Sequence, residues 1–164
     1  MTLELSPMTR ERMHALYRHF TFDPDTFADM SLYERYRDYR YDAGKVDALF
    51  DKRSGEANGV AFAITLDGAV IGEVALRHID ANRRECTLSI HLQNDLVKDR
   101  GYGTQAERLA IDYAFDRLGM ERVLADAVQK NARSRHVLEK LGFRYLYEKD
   151  GFAYYSLEKK DWQS

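Results

Sequence analysis

The stretch "KDRGYGTQAERLA", Lys98 to Ala110, sets Gly101 and Gly103 beside Lys98 and Arg100 and then runs into a helical pattern. Glycine reaches positive φ at little cost and has no Cβ to hold a ligand away from the main chain. The first N–H groups of a helix have no partner inside it, and the aligned peptide dipoles add roughly half a positive charge at that end. The amides of residues 100–104 therefore form a candidate anion cradle. Lys98 and Arg100 add full charges, and Arg can grip a phosphate through two parallel hydrogen bonds. A plain strand-to-helix loop would use the same residue types for geometry and solubility. A third reading is a dinucleotide turn, because "GYGTQA" formally matches GxGxxA. That turn requires a strand running straight into its first glycine and parallel units around it, whereas "NDLVKDR" intervenes here and the preceding strands read as antiparallel.

A second group of polar residues opens the next helical pattern, "NARSRHVLEKLGF". Asn131 is a natural N-cap. At about 100° per residue, Ser134 falls on the face of Val137, Leu138 and Leu141, while Arg133, Arg135 and His136 face elsewhere. A hydroxyl in an apolar stripe needs a partner, either a carbonyl one turn earlier or a ligand.

The elements that must position these residues follow from the hydrophobic period. Leu3 to Pro7 reads as a strand, followed by helices over Thr9 to Phe20 and Ser31 to Lys52, with the turn-rich "FDPDTF" between them. "GVAFAITLDGAVIGEVAL" is two β-branched runs around Asp67-Gly68, a strong hairpin signal. A third strand is expected from Arg84 to Gln93, with Leu88, Ile90 and Leu92 on one face. The period then changes to a helix over Gly103 to Leu118, with Ala106, Leu109, Ala110, Tyr113 and Leu118 on its apolar side. A strand at 122–128, a helix from Asn131 to Leu141, and strands Phe143 to Lys149 and Phe152 to Leu157 around Asp150-Gly151 complete the chain. Strand, crossover helix, strand requires a parallel pair in an otherwise antiparallel sheet. The fold class is thus mixed α/β, in one domain over residues 1–164.

The order "CTLSIHL…KDRGYGTQAERL…ERVLADAVQKNARSRHVLEKLGF" resembles the GNAT superfamily of N-acetyltransferases, in particular its ribosomal-protein and polyamine branch. The resemblance is close over about residues 85–145 and rests on element order elsewhere. It implies an acyl-CoA N-acyltransferase fold in which the parallel strands splay and the pantetheine arm of acetyl-CoA fills the gap. It places the diphosphate on the turn, with Lys98, Arg100, Gly101, Tyr102, Gly103 and Thr104 as its residues. Lys98 stands where the family pattern [QR]xxGx[GA] has Gln or Arg. Asn131 would reach the pantetheine, and the Leu92 N–H would polarise the thioester carbonyl. Ser134 would serve the leaving sulfur, since Leu138 occupies the position where many members carry a tyrosine. The implied reaction is direct attack of a primary amine on the thioester. An alkylamine with a pKa of about 10.4 must first lose a proton, and Glu85 and His91 on the strand beside the gap are the candidate acceptors. The alternative on the same fold is a non-catalytic acyl-CoA binding or sensing module.

The acceptor would be a protein N-terminus, a polyamine or a small amine. Its specificity is expected from the N-terminal helices and the last hairpin. Tyr33, Tyr36 and Arg40 recur at helical spacing, which reads as packing with a basic edge. Asp23, Asp25 and Asp29 mark a polar loop that could attract a cation. With a net charge of −2 there is no global field for nucleic acid. One cysteine, Cys86, gives no internal disulfide and no multi-cysteine metal site, and reads as a small buried apolar residue. No apolar run approaches the roughly 18 residues of a membrane span, and the first residues lack the apolar centre of a signal peptide. The expectation is a cytoplasmic protein without metal, membrane or nucleic-acid partners. Self-association as a homodimer stays open.

Overall fold

The period-2 runs of the sequence become the strands of one sheet in a computed structural model, which describes residues 1–163. They are β1 (Leu3–Pro7), β2 (Val60–Leu66), β3 (Ala69–Asp80), β4 (Glu85–Leu92), β5 (Arg122–Val128), β6 (Arg144–Lys149) and β7 (Phe152–Glu158). Their order is β1-β2-β3-β4-β5-β7-β6. Every neighbouring pair is antiparallel except β4 and β5. Both Asp-Gly turns hold their two residues at positive φ: Asp67 at 50° and Gly68 at 87°, Asp150 at 53° and Gly151 at 85°. That backbone follows the twist of the flanking strands, so both hairpins form where the sequence predicts them.

The parallel pair is registered from Glu85↔Arg122 to Leu88↔Ala125 and then stops. Beyond that point β4 runs on to Leu92 paired only with β3, and β5 runs on to Val128 paired only with β7. The sheet therefore forks, as the resemblance implied. Cys86, Leu88, Ile90 and Leu92 turn one face of β4 into the main core, where α4 (Tyr102–Asp116) covers them. Ser89 and His91 alternate onto the opposite face, above which lie α1 (Arg10–Arg18) and the segments that follow it. Burial pushes the Cys86 thiol up to about 11, so it packs as a small apolar residue.

Two expectations about helices are corrected. The single helix over Ser31 to Lys52 is two, α2 (Met30–Tyr36) and α3 (Ala43–Ser54). Asp42 starts α3 by accepting the Lys45 N–H at 3.1 Å. The segment between them is drawn inward by its tyrosines: the Tyr39 hydroxyl donates to the Tyr17 carbonyl at 3.0 Å, and the Tyr41 hydroxyl lies 2.6 Å from His14 Nδ1. With Met13, Leu16, Tyr17 and Val46 these rings form a second, smaller core. A capping aspartate and tertiary burial here outweigh helical propensity. The buried stripe of α4 is also rotated from expectation: it runs through Ala106, Glu107, Ala110, Ile111 and Ala114, and Leu109 is exposed. α5 (Ala132–Lys140) follows β5 with Asn131 as its cap.

Because the break before α3 is fixed by a side-chain cap, Asp42→Ala should lower stability by about 1 kcal/mol. A fall in the urea midpoint without change in slope would show it.

Candidate functional site

Where β4 and β5 part, two cavities adjoin. The smaller, about 230 Å³, lies in the fork itself between residues 87–90 and 125–128 and reaches Leu138 of α5. The larger, about 430 Å³, extends from Ile90 and Leu92 toward Gly103 of α4 on one side and the aromatic N-terminal segment on the other. Thr26, Ile90, Glu107, Asn131 and Ser134 line both, so the cavities meet at those residues.

The glycine turn sits at the open end of this space. Gly101 at φ 81° is the N-cap of α4 and supplies no side chain to its first amides, whereas Thr9, Asp29, Asp42 and Asn131 cap the other α-helices. A Cβ on Gly103 would meet nothing nearer than Ile90 Cδ1 and Leu92 Cδ1 at 3.9 Å. The protein's own packing thus does not require glycine at 103, while a ligand approaching the helix end would. This uncapped, open-faced turn fits an anionic group. Arg100 lies beside it, with Nε donating to the Leu96 carbonyl at 3.0 Å. The Tyr102 ring packs against the main core and its hydroxyl approaches Met1 Sδ at 3.8 Å, so Tyr102 and Thr104 bring main-chain amides and no cavity-lining side chain.

Lys98 is placed differently from its expected role. It lines the larger cavity, but its ammonium is 3.2 Å from both Asp23 and Asp95. Arg133 joins this network, 2.9 Å from Asp99 and 3.6 Å from Asp23. Burial opposes the charge on Asp23, but the Asp25 amide, Lys98 and Arg133 outweigh it and hold the carboxyl below its usual range. The aspartate read as a cation attractor is therefore already neutralised; it pins the short 3-10 helix Pro24–Thr26 to the turn.

Of the candidate proton acceptors, His91 lines the larger cavity and is not a surface imidazole. Its Nε2 lies 3.4 Å from the Tyr17 hydroxyl and 3.7 Å from Glu73 Oε1. Burial lowers its pKa despite the opposing pull of Glu73, so the ring is neutral near pH 7. Behind it, the buried Glu73 is ion-paired with Arg53, which also faces the cavity. Glu85 is not brought to the site. It sits at the paired end of the strands, 3.4 Å from Arg122 and 3.8 Å from Arg83, and lines neither cavity.

Asn131 caps α5 by accepting the Ser134 N–H at 3.2 Å and lines both cavities, so its two expected positions coincide. The Ser134 hydroxyl has no hydrogen-bond partner among the described residues and also borders both cavities, unlike the local back-bond that a purely structural serine would make. Leu138 is buried at the floor of the fork.

Two acidic residues were missed in the sequence. Asp126 projects from β5 into the smaller cavity; it is reachable by solvent through the cleft, yet desolvation by the cavity walls raises its pKa. A lone charge inside "RVLADAV" was the available signal. Glu107 is 5% exposed on the buried face of α4, and burial alone pushes its carboxyl up to about 8. Its spacing of four from Gly103 would have marked it once the stripe was drawn correctly. No cluster of potential metal ligands occurs among the described residues, and no described helix is long and apolar enough to cross a membrane.

The chain matches the profile of the Acetyltransferase (GNAT) domain over residues 2–144. It is 30% identical over 124 residues to a putative ribosomal N-acetyltransferase, YdaF, of Bacillus subtilis (strain 168), covering 68% of this chain and 66% of the relative. It is 28% identical over 95 residues to the spermidine N(1)-acetyltransferase of Escherichia coli (strain K12), covering 58% and 50%. The matches thus span half to just under two thirds of these curated relatives. Among solved structures, one described as a probable acetyltransferase superposes with TM-score 0.73 at 23% identity, covering 98% of this chain and 93% of that one. A spermidine N-acetyltransferase from Vibrio cholerae in complex with CoA and spermine gives TM-score 0.73 at 16% identity, covering 97% and 96%. These structural likenesses speak to the fold, and the profile speaks to descent: with a match from residue 2 to residue 144, the chain belongs to the GNAT acetyltransferase family.

Proposed function

We propose that this chain is an acetyl-CoA-dependent N-acetyltransferase acting on a primary amine. The observation that carries the reading is the end of β4–β5 pairing at Leu88 and Ala125, opening toward a helix terminus with no side-chain cap. The amides of residues 101–104 and the Arg100 guanidinium are the groups for the diphosphate. The inner edges of Ser89 to Leu92 and Asp126 to Val128, unpaired with each other, suit an amide-bearing pantetheine arm. Leu92 is the proposed main-chain donor to the thioester carbonyl, and Asn131 a further contact for the arm. Acetyl-CoA supplies an activated acetyl group, and the chain's task is to orient it, exclude water and manage protons.

The Ser134 hydroxyl, without a hydrogen-bond partner among the described residues, faces the leaving sulfur in this reading. The proton of the incoming ammonium goes to Asp126, which shares the fork with Ser134 and whose raised pKa brings it nearer to that of the amine. His91, neutral and packed against Tyr17 and Phe20, forms the acceptor wall. That wall is aromatic, with Phe20, Phe22 and Phe27, and its carboxylate Asp23 is spent on Lys98 and Arg133. These features support an amine beside an apolar or aromatic group over a polycation.

Free-thiol release from acetyl-CoA with a panel of amines tests the reading. Turnover faster with aromatic amines than with spermidine is expected; coenzyme A binding without any acetyl transfer would refute catalysis. Gly103→Val should weaken coenzyme A binding at least tenfold in calorimetry while the folded state persists, because the added Cβ makes only ordinary van der Waals contacts, at 3.9 Å, with Ile90 and Leu92. Asp126→Asn should lower kcat/KM about 100-fold at neutral pH. A base must be ionised, so the wild-type rate should fall as pH drops through a pKa above the usual carboxylate range, and the variant should lose that limb.

A further inference from the structure

Glu107 is a charged residue type in a place where charge is not balanced. It is 5% exposed, and its carboxyl makes no hydrogen bond or ion pair with any described residue. It nevertheless lines both cavities, one helical turn beyond Gly103 on the same face of α4. The carboxyl opens onto the cavities and so is not cut off from solvent, but no described residue bonds it and fixes it there. Such a group persists where a ligand supplies the missing bond.

The surroundings leave this acid to itself. β1 and β3 turn Leu3, Leu5, Val74 and Leu76 into the core that α4 covers. β4 and β5 bring His91 and Asp126 to the cavities, and neither is bonded to Glu107. The cations nearby are engaged elsewhere: Arg53 with Glu73, and Lys98 and Arg133 with Asp23, Asp95 and Asp99. Tyr17 faces the same space across the larger cavity. With no cation among the described residues paired to the carboxylate and burial opposing its charge, the neutral acid is the form present near pH 7, and a neutral carboxyl has one O–H to donate.

Resting on the function proposed above, we infer that the Glu107 carboxyl is a hydrogen-bond donor to the amide-bearing arm of coenzyme A where the two cavities meet. Coenzyme A binding is then linked to a proton that the protein holds. The site prefers the acid form, so binding is tight below the pKa of the free protein's Glu107 and weakens above it. No bond is made or broken in this role. Glu107 orients the arm, while Ser134 and Asp126 attend to the reacting atoms.

Calorimetric titration with coenzyme A from pH 6.5 to pH 9, on the full chain and on Glu107→Gln and Glu107→Leu, tests this. The wild-type dissociation constant should rise about tenfold across that range relative to Glu107→Gln, as expected for one proton lost near pH 8. Glu107→Gln keeps an N–H donor and should bind with wild-type affinity at pH 6.5. Glu107→Leu should bind more weakly there, with no such pH dependence. A second measurement needs no variant: at pH 8.5, titration in buffers of different ionisation heat should show net proton uptake on binding. Parallel pH dependence in wild type and Glu107→Gln, or no proton uptake, would overturn the assignment and leave the acetyltransferase reading intact. Failure of every form to bind coenzyme A at any pH would overturn both.

Discussion

Hydrogen bonding between β4 and β5 ends after four residue pairs, although each strand continues for another turn of the pleat or more. A parallel pair buried under helices would ordinarily keep pairing, because unpaired main-chain groups are costly away from water. Here each strand remains anchored on its outer side, β4 by β3 and β5 by β7, so the two halves of the sheet diverge without unravelling. The fork is where α4 and α5 aim their first turns, and it collects the polar side chains that a packed core would reject. Ser134, Asn131, Glu107 and Asp126 all stand at this one discontinuity.

The charges around the fork divide into those consumed by the structure and those left for chemistry. Asp23, Asp95, Asp99, Lys98 and Arg133 neutralise one another and join the N-terminal segment to the glycine turn. Arg53 and Glu73 do the same beneath His91. What remains unengaged is a set of main-chain amides at the α4 terminus and a few isolated protic groups. A wall tied down by ion pairs is stiff, which suits a site that must hold a long flexible ligand in one orientation.

Much of the frame was legible because strands and turns are written locally. The alternation in "CTLSIHL" and the two Asp-Gly pairs fix which face of each strand is buried. The turn and Asn131 were legible as well, since helix starts are chemically distinctive. The segment from Tyr33 to Tyr41 was not: its tyrosines fit a helical stripe on paper, and only contact with Tyr17 and His14 shows that two of them are pulled out of it. Glu107 escaped because "TQAERLA" looks like a solvated helix face, and the covering strands decide otherwise. His91 needed the partner strand, whose Glu73 stands opposite it. Glu85 shares β4 with the site but lies at its wrong end, a distinction that spacing alone does not carry.

The seclusion of Cys86 bears on how the protein can be studied. A sulfhydryl that ionises only near pH 11 and is almost fully covered by core residues will not reduce a chromophoric disulfide reagent while the chain is native. As it is the only cysteine, the colour developed in solution counts sulfur atoms that came from elsewhere. A slow extra equivalent appearing after heating or denaturant would then serve as an internal clock for loss of the native core.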